Sequence, residues 1–457
     1  PRPFLMRLTD LNSGREIGAN CMLAEFGGVR LVVDCGLHPK LDGRQALPRL
    51  DKIQGGVDGV ILTHCHLDHL GSLPLLVRQH PGARVYASAA TTLFVRRLLS
   101  NSIQVMKRQR EETGNADYPL YVEQDVERVE HALAAVPLAN PRVIGRGGEE
   151  VALTFHLAGH AAGAVGVLVE HRKRKHFFTG DVHFQAQRTV AGAAFPRTPV
   201  DTLVMECTRG ATPTLPHVTR KKEEDRLINA INRVADRGGD VLLPAFAFGR
   251  MQEILLLLQD AADAGELVDV PIYCSGLGMD LCDYLDAASK KTKQVKFSRQ
   301  VLRDLGVQPL SRRYVQPGKN LPAQGIYLLS SGMLVEKTPA WRIAANILDD
   351  EENAVFFVGY CDPETPGGEL IGMAPGGEFK FKGLDHVSTL RAEVERFHLS
   401  GHADRDELVE FACDLAPKDI VLTHGDPPAR AWMKETLAKR MPATRVHDPE
   451  PGVPLEL

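Results

Sequence analysis

Four side chains that could bind a metal ion lie close together in segment 63–69, which reads THCHLDH. In an extended segment His64 and His66 project to one side of the chain, and a turn into a helix would bring Asp68 and His69 to the same point. Imidazole and carboxylate are ligands that suit zinc. Burying so many polar groups without a ligand would be costly. The segment therefore predicts a metal site, with a hydrogen-bonded core network as the alternative.

A catalytic pair of metal ions needs more ligands than this segment supplies. Three further candidates, His160, Asp181 and His424, each end an apolar run at a glycine-containing turn (AGHAAG, TGD and THGD). At such turns the backbone can come close to a ligand. Taken singly, each is equally well explained as a turn aspartate or a hydrogen-bonded histidine. Together with segment 63–69 they indicate a site for two metal ions.

Hydrophobic spacing predicts the elements that would position these residues. Apolar or alternating runs predict strands at 21–25, 30–34, 59–62, 151–157, 165–170, 176–179, 203–205, 240–243, 272–274, 326–330 and 420–423. Amphipathic spacing predicts helices at 70–80, 91–135, 220–236, 249–262 and 408–415. After residue 206 the strands and helices alternate, which is typical of a parallel α/β unit.

Composition limits the class of protein. The chain has 457 residues, of which 44% are hydrophobic and 25% charged, so we expect two or three globular domains. No apolar run of about 18 residues predicts a membrane span, and residues 1–11 show no signal-peptide pattern. The eight cysteines form no C-x-x-C pair, which favours a reduced, cytoplasmic protein. A net charge of −4 requires any nucleic-acid contact to come from local positive patches or from metal ions.

The spacing and context of these residues resemble the metallo-β-lactamase superfamily, whose fold is an αββα sandwich. The resemblance implies two Zn²⁺ ions per chain, with Mn²⁺ as an alternative metal. The implied ligands are His64, His66 and His160 for one ion, Asp68, His69 and His424 for the other, and Asp181 as a bridge. Asp34, in VVDCG, matches a family aspartate that orients a ligand. A plain turn residue is the alternative for Asp34.

The block between Glu206 and Val394 separates this chain from small-molecule hydrolases of the superfamily, which lack it. The block resembles the β-CASP cap of nucleic-acid-processing enzymes. The resemblance implies a metallo-β-lactamase domain at 1–205, a cap at 206–392 and a completing part at 393–457. We expect a stand-alone prokaryotic type, similar to the eukaryotic pre-mRNA 3′-end endonuclease, because the chain ends soon after residue 424.

Three family motifs accompany the cap. Glu206 in MECTRG fits motif A, His402 in LSGHAD fits motif B, and His424 fits motif C. In the family, a histidine at motif C goes with RNA substrates. The family often has Ser and Tyr where this chain has Cys207 and Arg209.

Two cap segments, LPAFAFGRMQE and SSGML, run from a predicted strand into a glycine-containing turn. Such turns leave backbone N–H groups free to hold phosphate. The candidates for RNA or phosphate binding are Arg250, Ser330, Ser331 and Gly332. An arginine on the surface of a helix is the alternative for Arg250.

The predicted reaction is hydrolysis of a phosphodiester bond. A hydroxide bridging the two metal ions would attack phosphorus, and His402, oriented by Glu206, would protonate the leaving oxygen. The candidate catalytic residues are Asp68, Asp181, Glu206 and His402. By resemblance to the family, the products carry a 5′-phosphate and a 3′-hydroxyl. The alternative for His402 is a residue that merely precedes the helix predicted near Asp404.

The sequence thus predicts a ribonuclease that cuts single-stranded RNA internally, with 5′-exonuclease activity left open. A narrow cleft between two domains would admit a single strand but no duplex. The competing hypotheses are a small-molecule hydrolase of the same fold, a DNA nuclease and a non-catalytic RNA-binding scaffold. We expect no membrane partner, and a homodimer is one of the states that the sequence leaves open.

Overall fold

A computed structural model describes residues 6–146, 148–315 and 321–457, which form two compact units. Unit 1 comprises the residues up to 186 together with 190–214 and 402–457, and unit 2 comprises 187–189 and 215–401. Residues 1–5, part of the segment without a signal-peptide pattern, lie outside the described residues. Glu206 and His402 both belong to unit 1. The domain limits at 206 and 392, which fall a few residues before these divisions, stay a prediction.

Unit 1 contains two seven-stranded sheets. In spatial order, the first sheet consists of β22 (Leu455–Glu456), β1 (Arg7–Asp10), β2 (Met22–Phe26), β3 (Val29–Val33), β4 (Gly59–Ile61), β5 (Arg84–Ser88) and β6 (Leu133–Val136). The second consists of β21 (Arg445–His447), β20 (Asp419–Thr423), β11 (Thr202–Glu206), β10 (Arg174–Phe178), β9 (Val165–His171), β8 (Glu149–Leu157) and β7 (Arg142–Arg146). The helices are α1 (Leu67–Leu70), α2 (Leu73–Gln79), α3 (Ala89–Thr113), α4 (Glu123–Ala132), α11 (Arg405–Leu415) and α12 (Pro427–Arg440).

The two sheets of unit 1 share one apolar core because alternate residues of each strand point inward. On β11, Val204 lies in the core between the sheets, whereas its neighbours Leu203 and Met205 pack on the opposite face with apolar residues of α11 and α12. On β20, Val421 faces the same inner core. Helices α3 and α4 pack against β5 of the first sheet. The predicted αββα sandwich is therefore confirmed.

Unit 2 is built on a six-stranded sheet whose paired strands run parallel. In spatial order its strands are β14 (Gln308–Pro309), β13 (Ile272–Cys274), β15 (Ile326–Leu329), β12 (Val241–Pro244), β16 (Ala354–Phe357) and β19 (Glu393–Arg396). A hairpin joins β17 (Glu378–Lys380) and β18 (Val387–Thr389). The helices are α5 (Arg220–Asp236), α6 (Arg250–Asp263), α7 (Leu277–Thr292), α8 (Val301–Asp304), α9 (Pro339–Ala344) and α10 (Pro366–Gly372). The predicted parallel α/β unit is confirmed.

One helix prediction is wrong in part. Residues 91–135 do not form one helical stretch, because α3 ends at Thr113 and Gly114 follows with φ of 70°. Glycine adopts this left-handed conformation at little cost and so ends helices. The last residues of the stretch belong to β6, which pairs with β5 in parallel. Alanine-rich β6 has weak intrinsic strand propensity, so its place in the sheet decides its conformation.

No helix in the described residues is long and apolar enough to cross a membrane. Every one of the eight cysteines is a free thiol, and seven of them are buried.

Candidate metal centre and catalytic site

Most candidate residues of unit 1 follow the carboxyl ends of parallel strands, where side chains of different strands converge. In the first sheet, β3 and β4 are parallel and lead into Asp34 and segment 63–69. In the second sheet, β10, β11 and β20 are parallel. Asp181 follows β10, Glu206 ends β11, and His424 follows β20. Because parallel strands end at the same edge of a sheet, the fold brings together residues that lie far apart in the sequence.

The structure brings the seven predicted ligands into two adjacent sets, called here the histidine–aspartate cluster. Within each set, one ligand atom per residue lies within 4.8 Å of every other. The sets are His64, His66, His160 and Asp181, and Asp68, His69 and His424.

Asp181 faces both sets with different oxygen atoms. Its Oδ2 lies 3.6 Å from Nε2 of His64 and 3.7 Å from Nε2 of His160. Its Oδ1 lies 3.4 Å from Nε2 of His69 and 3.3 Å from Nδ1 of His424. A carboxylate in this arrangement can touch two cations at once.

The geometry of the cluster suits bound metal ions better than a network of hydrogen bonds among its own side chains. Nδ1 of His66 lies 3.1 Å from Nε2 of His64 and 3.0 Å from Nε2 of His160. A tetrahedral shell with Zn–N bonds of 2.0–2.1 Å has edges of about 3.3 Å, close to these separations. Nε2 of His69 and Oδ1 of Asp181 are buried and have no hydrogen-bond partner among the described residues. Buried polar atoms without partners are rare, so the donor set fits a divalent metal ion.

Burial and mutual charges set the protonation of the cluster. Burial, together with the charge of His69, holds the pKa of His64 well below its usual value, which favours the neutral imidazole that can bind a metal. Burial alone would raise the pKa of Asp181, but the neighbouring His424 and His69 lower it well below the usual value. The same balance, with His69 and His424 as neighbours, lowers the pKa of Asp68.

Asp34 holds the outer side of the cluster. Its Oδ2 lies 2.8 Å from Nδ1 of His69, so Nε2 of that ring faces the ligand set. Asp34 also accepts hydrogen bonds from the backbone N–H and the hydroxyl of Thr63, both at 2.8 Å. The plain turn residue considered for Asp34 does not describe this buried, multiply bonded side chain.

Glycine is required next to Asp34. A Cβ atom on Gly36 would lie 1.7 Å from the backbone oxygen of Asp68, so any side chain there would displace the segment that carries the ligands.

Sequence reasoning missed three side chains that hold the ligands in place. Asn20 Nδ2 lies 3.2 Å from Nδ1 of His69, and Thr63 Oγ1 lies 3.1 Å from Nδ1 of His64. Thr208 Oγ1 lies 2.9 Å from Nδ1 of His424. Thr63 and Thr208 adjoin recognised motifs, which could have drawn attention to them. Asn20 carries no comparable local signal.

Glu206 and His402 form a pair beside the cluster. Both oxygens of the fully buried Glu206 lie close to Nδ1 of His402, at 3.2 and 3.1 Å. Glu206 is itself fixed by the backbone N–H of Val182 at 2.6 Å. The ring centre of His402 lies 4.4 Å from that of His160. Because Nδ1 faces Glu206, a proton transfer toward the cluster would use Nε2.

The helix after His402 begins as the sequence suggested. Asp404 is the residue before α11, and its backbone N–H donates to Oε2 of Glu407 at 3.0 Å. The capping arrangement therefore belongs to Asp404, and the ring of His402 is engaged by Glu206 instead.

The predicted phosphate-binding residues lie in unit 2. Ser331 Oγ accepts hydrogen bonds from the backbone N–H of Met333 at 3.4 Å and of Val335 at 3.2 Å, and the backbone oxygen of Ser330 accepts from Ala340 at 2.9 Å. A Cβ on Gly332 would lie 3.0 Å from the backbone nitrogen of Phe246. These contacts describe a tight turn, and phosphate binding there stays a prediction.

Arg250 is not a surface residue, so that alternative is wrong. Its side chain is buried at the start of α6, and Nη2 donates to Oε1 of Gln187 at 2.8 Å. Burial and the charge of Arg220 lower its pKa to about 9. Nη1 is buried without a hydrogen-bond partner among the described residues. Phosphate binding by Arg250 stays a prediction.

Arg250 belongs to a group that we call the arginine–glutamate cluster, which consists of Arg188, Arg220, Glu224, Arg250 and Glu253. Arg188 pairs with Glu224 through two hydrogen bonds, at 2.6 and 3.1 Å. Glu253 accepts from the backbone N–H groups of Arg188 and Thr189, at 2.8 and 2.9 Å. The cluster thus fastens residues 187–189 to the helices of unit 2.

Comparison with known families agrees with this architecture. The model of the metallo-β-lactamase superfamily matches residues 14–244, just over half of the chain. The chain belongs to this superfamily. A β-CASP domain model matches residues 251–370, and a model described as a Zn-dependent metallo-hydrolase RNA specificity domain matches residues 389–447. The chain is therefore a β-CASP member of the superfamily.

Several curated proteins are similar along most of the chain. Cleavage and polyadenylation specificity factor 73 of Drosophila melanogaster is 28% identical over 96% of this chain and 62% of its own length. Transcription termination factor FttA of Pyrococcus horikoshii is 30% identical over 92% of this chain and 66% of its own. Endoribonuclease YSH1 of Eremothecium gossypii is 28% identical over 99% of this chain and 60% of its own. The chain thus spans about two thirds or less of the length of these relatives.

Proposed function

We propose that this protein is a two-zinc ribonuclease that hydrolyses phosphodiester bonds within single-stranded RNA. The observation that carries the proposal is Asp181, whose two oxygens face two adjacent ligand sets beside the Glu206–His402 pair. The match to an RNA specificity domain and a relative named an endoribonuclease support RNA as the substrate. Action at the 5′ end is left open.

The ligand sets would be occupied by one zinc ion each, with Asp181 contacting both. Bound ions would supply a reactive hydroxide at neutral pH and neutralise charge on the phosphoryl oxygens. The chain itself supplies the ligands, the fixed ring orientations and a proton donor. Asp34 orients His69 so that Nε2 of this ring faces the site. Thr208 holds Nδ1 of His424, and Nε2 of the same ring lies 3.1 Å from Oδ2 of Asp68.

His402 is the proposed general acid. The bond between phosphorus and the leaving 3′ oxygen breaks with its electron pair on the oxygen, which takes the proton from Nε2 of His402. Glu206, bonded to Nδ1, holds the ring in position, with Nε2 left to face the leaving oxygen. The products are a 5′-phosphate and a 3′-hydroxyl.

The test compares wild-type protein with His402→Ala on end-labelled single-stranded RNA. We expect the wild type to cleave and the variant to lose about 10²- to 10⁴-fold in kcat, the usual contribution of a general acid. Zinc content, measured by emission spectroscopy, should be equal in both, because His402 is not among the seven proposed ligands. Equal cleavage by both proteins would remove His402 from the mechanism.

Three kinds of substrate separate the competing functions. A single-stranded DNA of the same sequence and a panel of lactones and thioesters should be turned over far more slowly than RNA. A circular RNA, which has no ends, should be opened if cleavage is internal. Rapid turnover of the small molecules with intact RNA would contradict the proposal.

A further inference from the structure

Arg209 stands in the motif A segment, at a position where the family often has tyrosine. Its Nη1 forms an ion pair with Oδ1 of Asp404, within unit 1. The Arg209 side chain is only 12% exposed and that of Asp404 27% exposed, so water screens this pair less than a surface pair. Asp404 is two residues beyond His402 and is the residue from which α11 begins.

The motif A segment therefore contacts the motif B segment at two points, His402 and Asp404. Glu206 holds Nδ1 of His402, and Arg209 holds Asp404. Between these contacts, the backbone N–H of Ala403 donates to the oxygen of Val182 at 2.7 Å. The ring of His402 thus sits on a segment that is fixed on either side.

The same motif A segment also reaches the metal ligands. Thr208, adjacent to Arg209, donates its hydroxyl hydrogen to the backbone oxygen of His424 at 3.2 Å and contacts Nδ1 of that ring at 2.9 Å. A single four-residue stretch, 206–209, is therefore tied both to a proposed ligand and to the proposed general acid.

We propose that Arg209 is a positioning residue that keeps His402 aligned with the leaving oxygen by anchoring Asp404. The proposal rests on the function proposed above. Arg209 acts through Asp404 and touches neither RNA nor metal in this role. Its loss should slow only the step that needs a proton from His402, in which the bond from phosphorus to the 3′ oxygen breaks and Nε2 gives its proton to that oxygen.

A change of leaving atom tests this role. In an RNA with a single 3′-S-phosphorothiolate linkage, the leaving group is a thiolate, which departs without a proton because thiols have a pKa near 8.5. We expect Arg209→Ala to lower kcat on the natural linkage by roughly 10- to 100-fold, the usual effect of losing a residue that orients a functional side chain. On the sulfur linkage the variant should stay within about threefold of the wild type, with KM unchanged on both.

A merely structural role predicts another result. If Arg209 only supports the fold or the metal site, both linkages should slow by the same factor, and that outcome would overturn the inference while leaving the proposed function intact. An unchanged rate on both linkages would overturn it as well. If the wild type cleaves neither linkage, the proposed function fails and this inference fails with it.

Three further variants keep the test decisive. Arg209→Lys retains the positive charge and should recover most of the rate on the natural linkage. Asp404→Asn keeps a good helix-capping residue but removes the charge, so it should reproduce the selective loss even if Arg209→Ala does not fold. The double variant should be no slower than either single variant, because both changes remove one interaction. Additive losses would contradict the pairing.

Arg197→Ala is the matched control. Arg197 pairs with Asp414 near the other end of α11, at 3.3 Å, and both side chains are largely exposed. Its removal breaks an arginine–aspartate pair on the same helix without touching the segment of His402. We expect wild-type rates on both linkages.

Discussion

Each unit buries a cluster of ionisable side chains, and the two clusters differ in how their buried polar atoms are partnered. In the histidine–aspartate cluster, ring nitrogens and carboxylate oxygens converge on common points, and two of these buried atoms have no hydrogen-bond partner among the described residues. In the arginine–glutamate cluster, guanidinium groups face carboxylates directly, as in the pair of Arg188 with Glu224. The first cluster consists of side chains whose atoms bind metal ions, whereas the second pairs guanidinium groups with carboxylates and leaves Nη1 of Arg250 without a hydrogen-bond partner among the described residues.

The difference teaches how buried charge can be recognised as functional or structural. A site whose buried charges face each other needs no ligand, and removing one partner of such a pair is strongly destabilising. A site whose donor atoms crowd together without complement must be balanced from outside, and its chemistry follows from what binds. The following predictions contrast the two clusters.

The largest effect is expected from Asp181→Asn, which removes the negative charge and replaces one of the two facing oxygens with an NH2 group that cannot bind a cation. Zinc content should fall, and RNA cleavage should drop by roughly 10³-fold or more, since metal ions supply several kcal/mol of transition-state stabilisation. Emission spectroscopy and cleavage assays measure both. Asp201→Asn is the control in the same unit, because that carboxylate bonds Lys418 outside the cluster. Full zinc occupancy and normal cleavage in Asp181→Asn would break the comparison.

Glu253→Gln should instead lower stability. The carboxylate accepts hydrogen bonds from two backbone N–H groups, and it lies near Arg220 and Arg250, whose charges help lower its pKa against the opposing effect of burial. Breaking a buried ion pair costs about 3 kcal/mol. The NH2 group of the new glutamine would also face backbone N–H groups that need an acceptor.

Urea denaturation measures this loss, with cleavage per folded molecule and zinc content expected to stay near wild type. Asp225→Asn is the control in the same unit, because Asp225 forms an exposed pair with Lys221 and its loss should cost well under about 1 kcal/mol. Equal losses of stability in the two variants would show that the buried ion pairs of Glu253 contribute no more to stability than the exposed pair of Asp225.

The smallest effect is expected from Asp240→Asn, also in unit 2. Burial raises the pKa of Asp240 to about 6 from a usual value of 3.8, even though Gly325 donates a backbone hydrogen bond at 2.9 Å. The folded protein therefore binds more protons than the unfolded chain between these pH values, so stability falls as the pH rises from about 4 to 6. The asparagine variant lacks this slope.

At pH 7 the variant should be more stable by roughly 1 kcal/mol, a value discounted for the partial exposure of Asp240, and the gain should vanish near pH 3.8. Urea titrations at both pH values measure the difference. A gain that is the same at both would exclude ionisation of Asp240 as its cause. Asp240 thus sharpens the comparison, since a half-buried carboxylate with no cation among the causes of its pKa shift is destabilised by its own charge.

The sequence predicts the site to the extent that chemistry is concentrated in short motifs. His64 to His69 could be recognised because four metal-binding side chains in one segment are costly to bury otherwise. The pairing of Glu206 with His402 followed from the motifs and not from any local pattern. Asn20 could not be recognised because its contact with His69 forms only when the residues before β2 pack against helix α1.

The fold was predictable where hydrophobic spacing matched burial. Strands β11 and β20 are examples. One face of each strand packs in the core between the sheets and the other packs under helices, so their sequences are continuous apolar runs. The prediction of one helical stretch at 91–135 was wrong because helical spacing is present on both sides of Gly114, where α3 in fact ends. The burial of Arg250 could not be foreseen, since its hydrogen-bond partner Gln187 lies in a distant part of the chain.

Unit 2 is inserted between Asp181 and His424 in the order of the chain, which has a consequence for synthesis on the ribosome. A growing chain acquires the first histidines early, but it lacks His402 and His424 until the whole of unit 2 has been translated. If these residues act as proposed, the nascent protein stays inert beside the messenger that encodes it, and cutting begins only after elongation has passed the last of them.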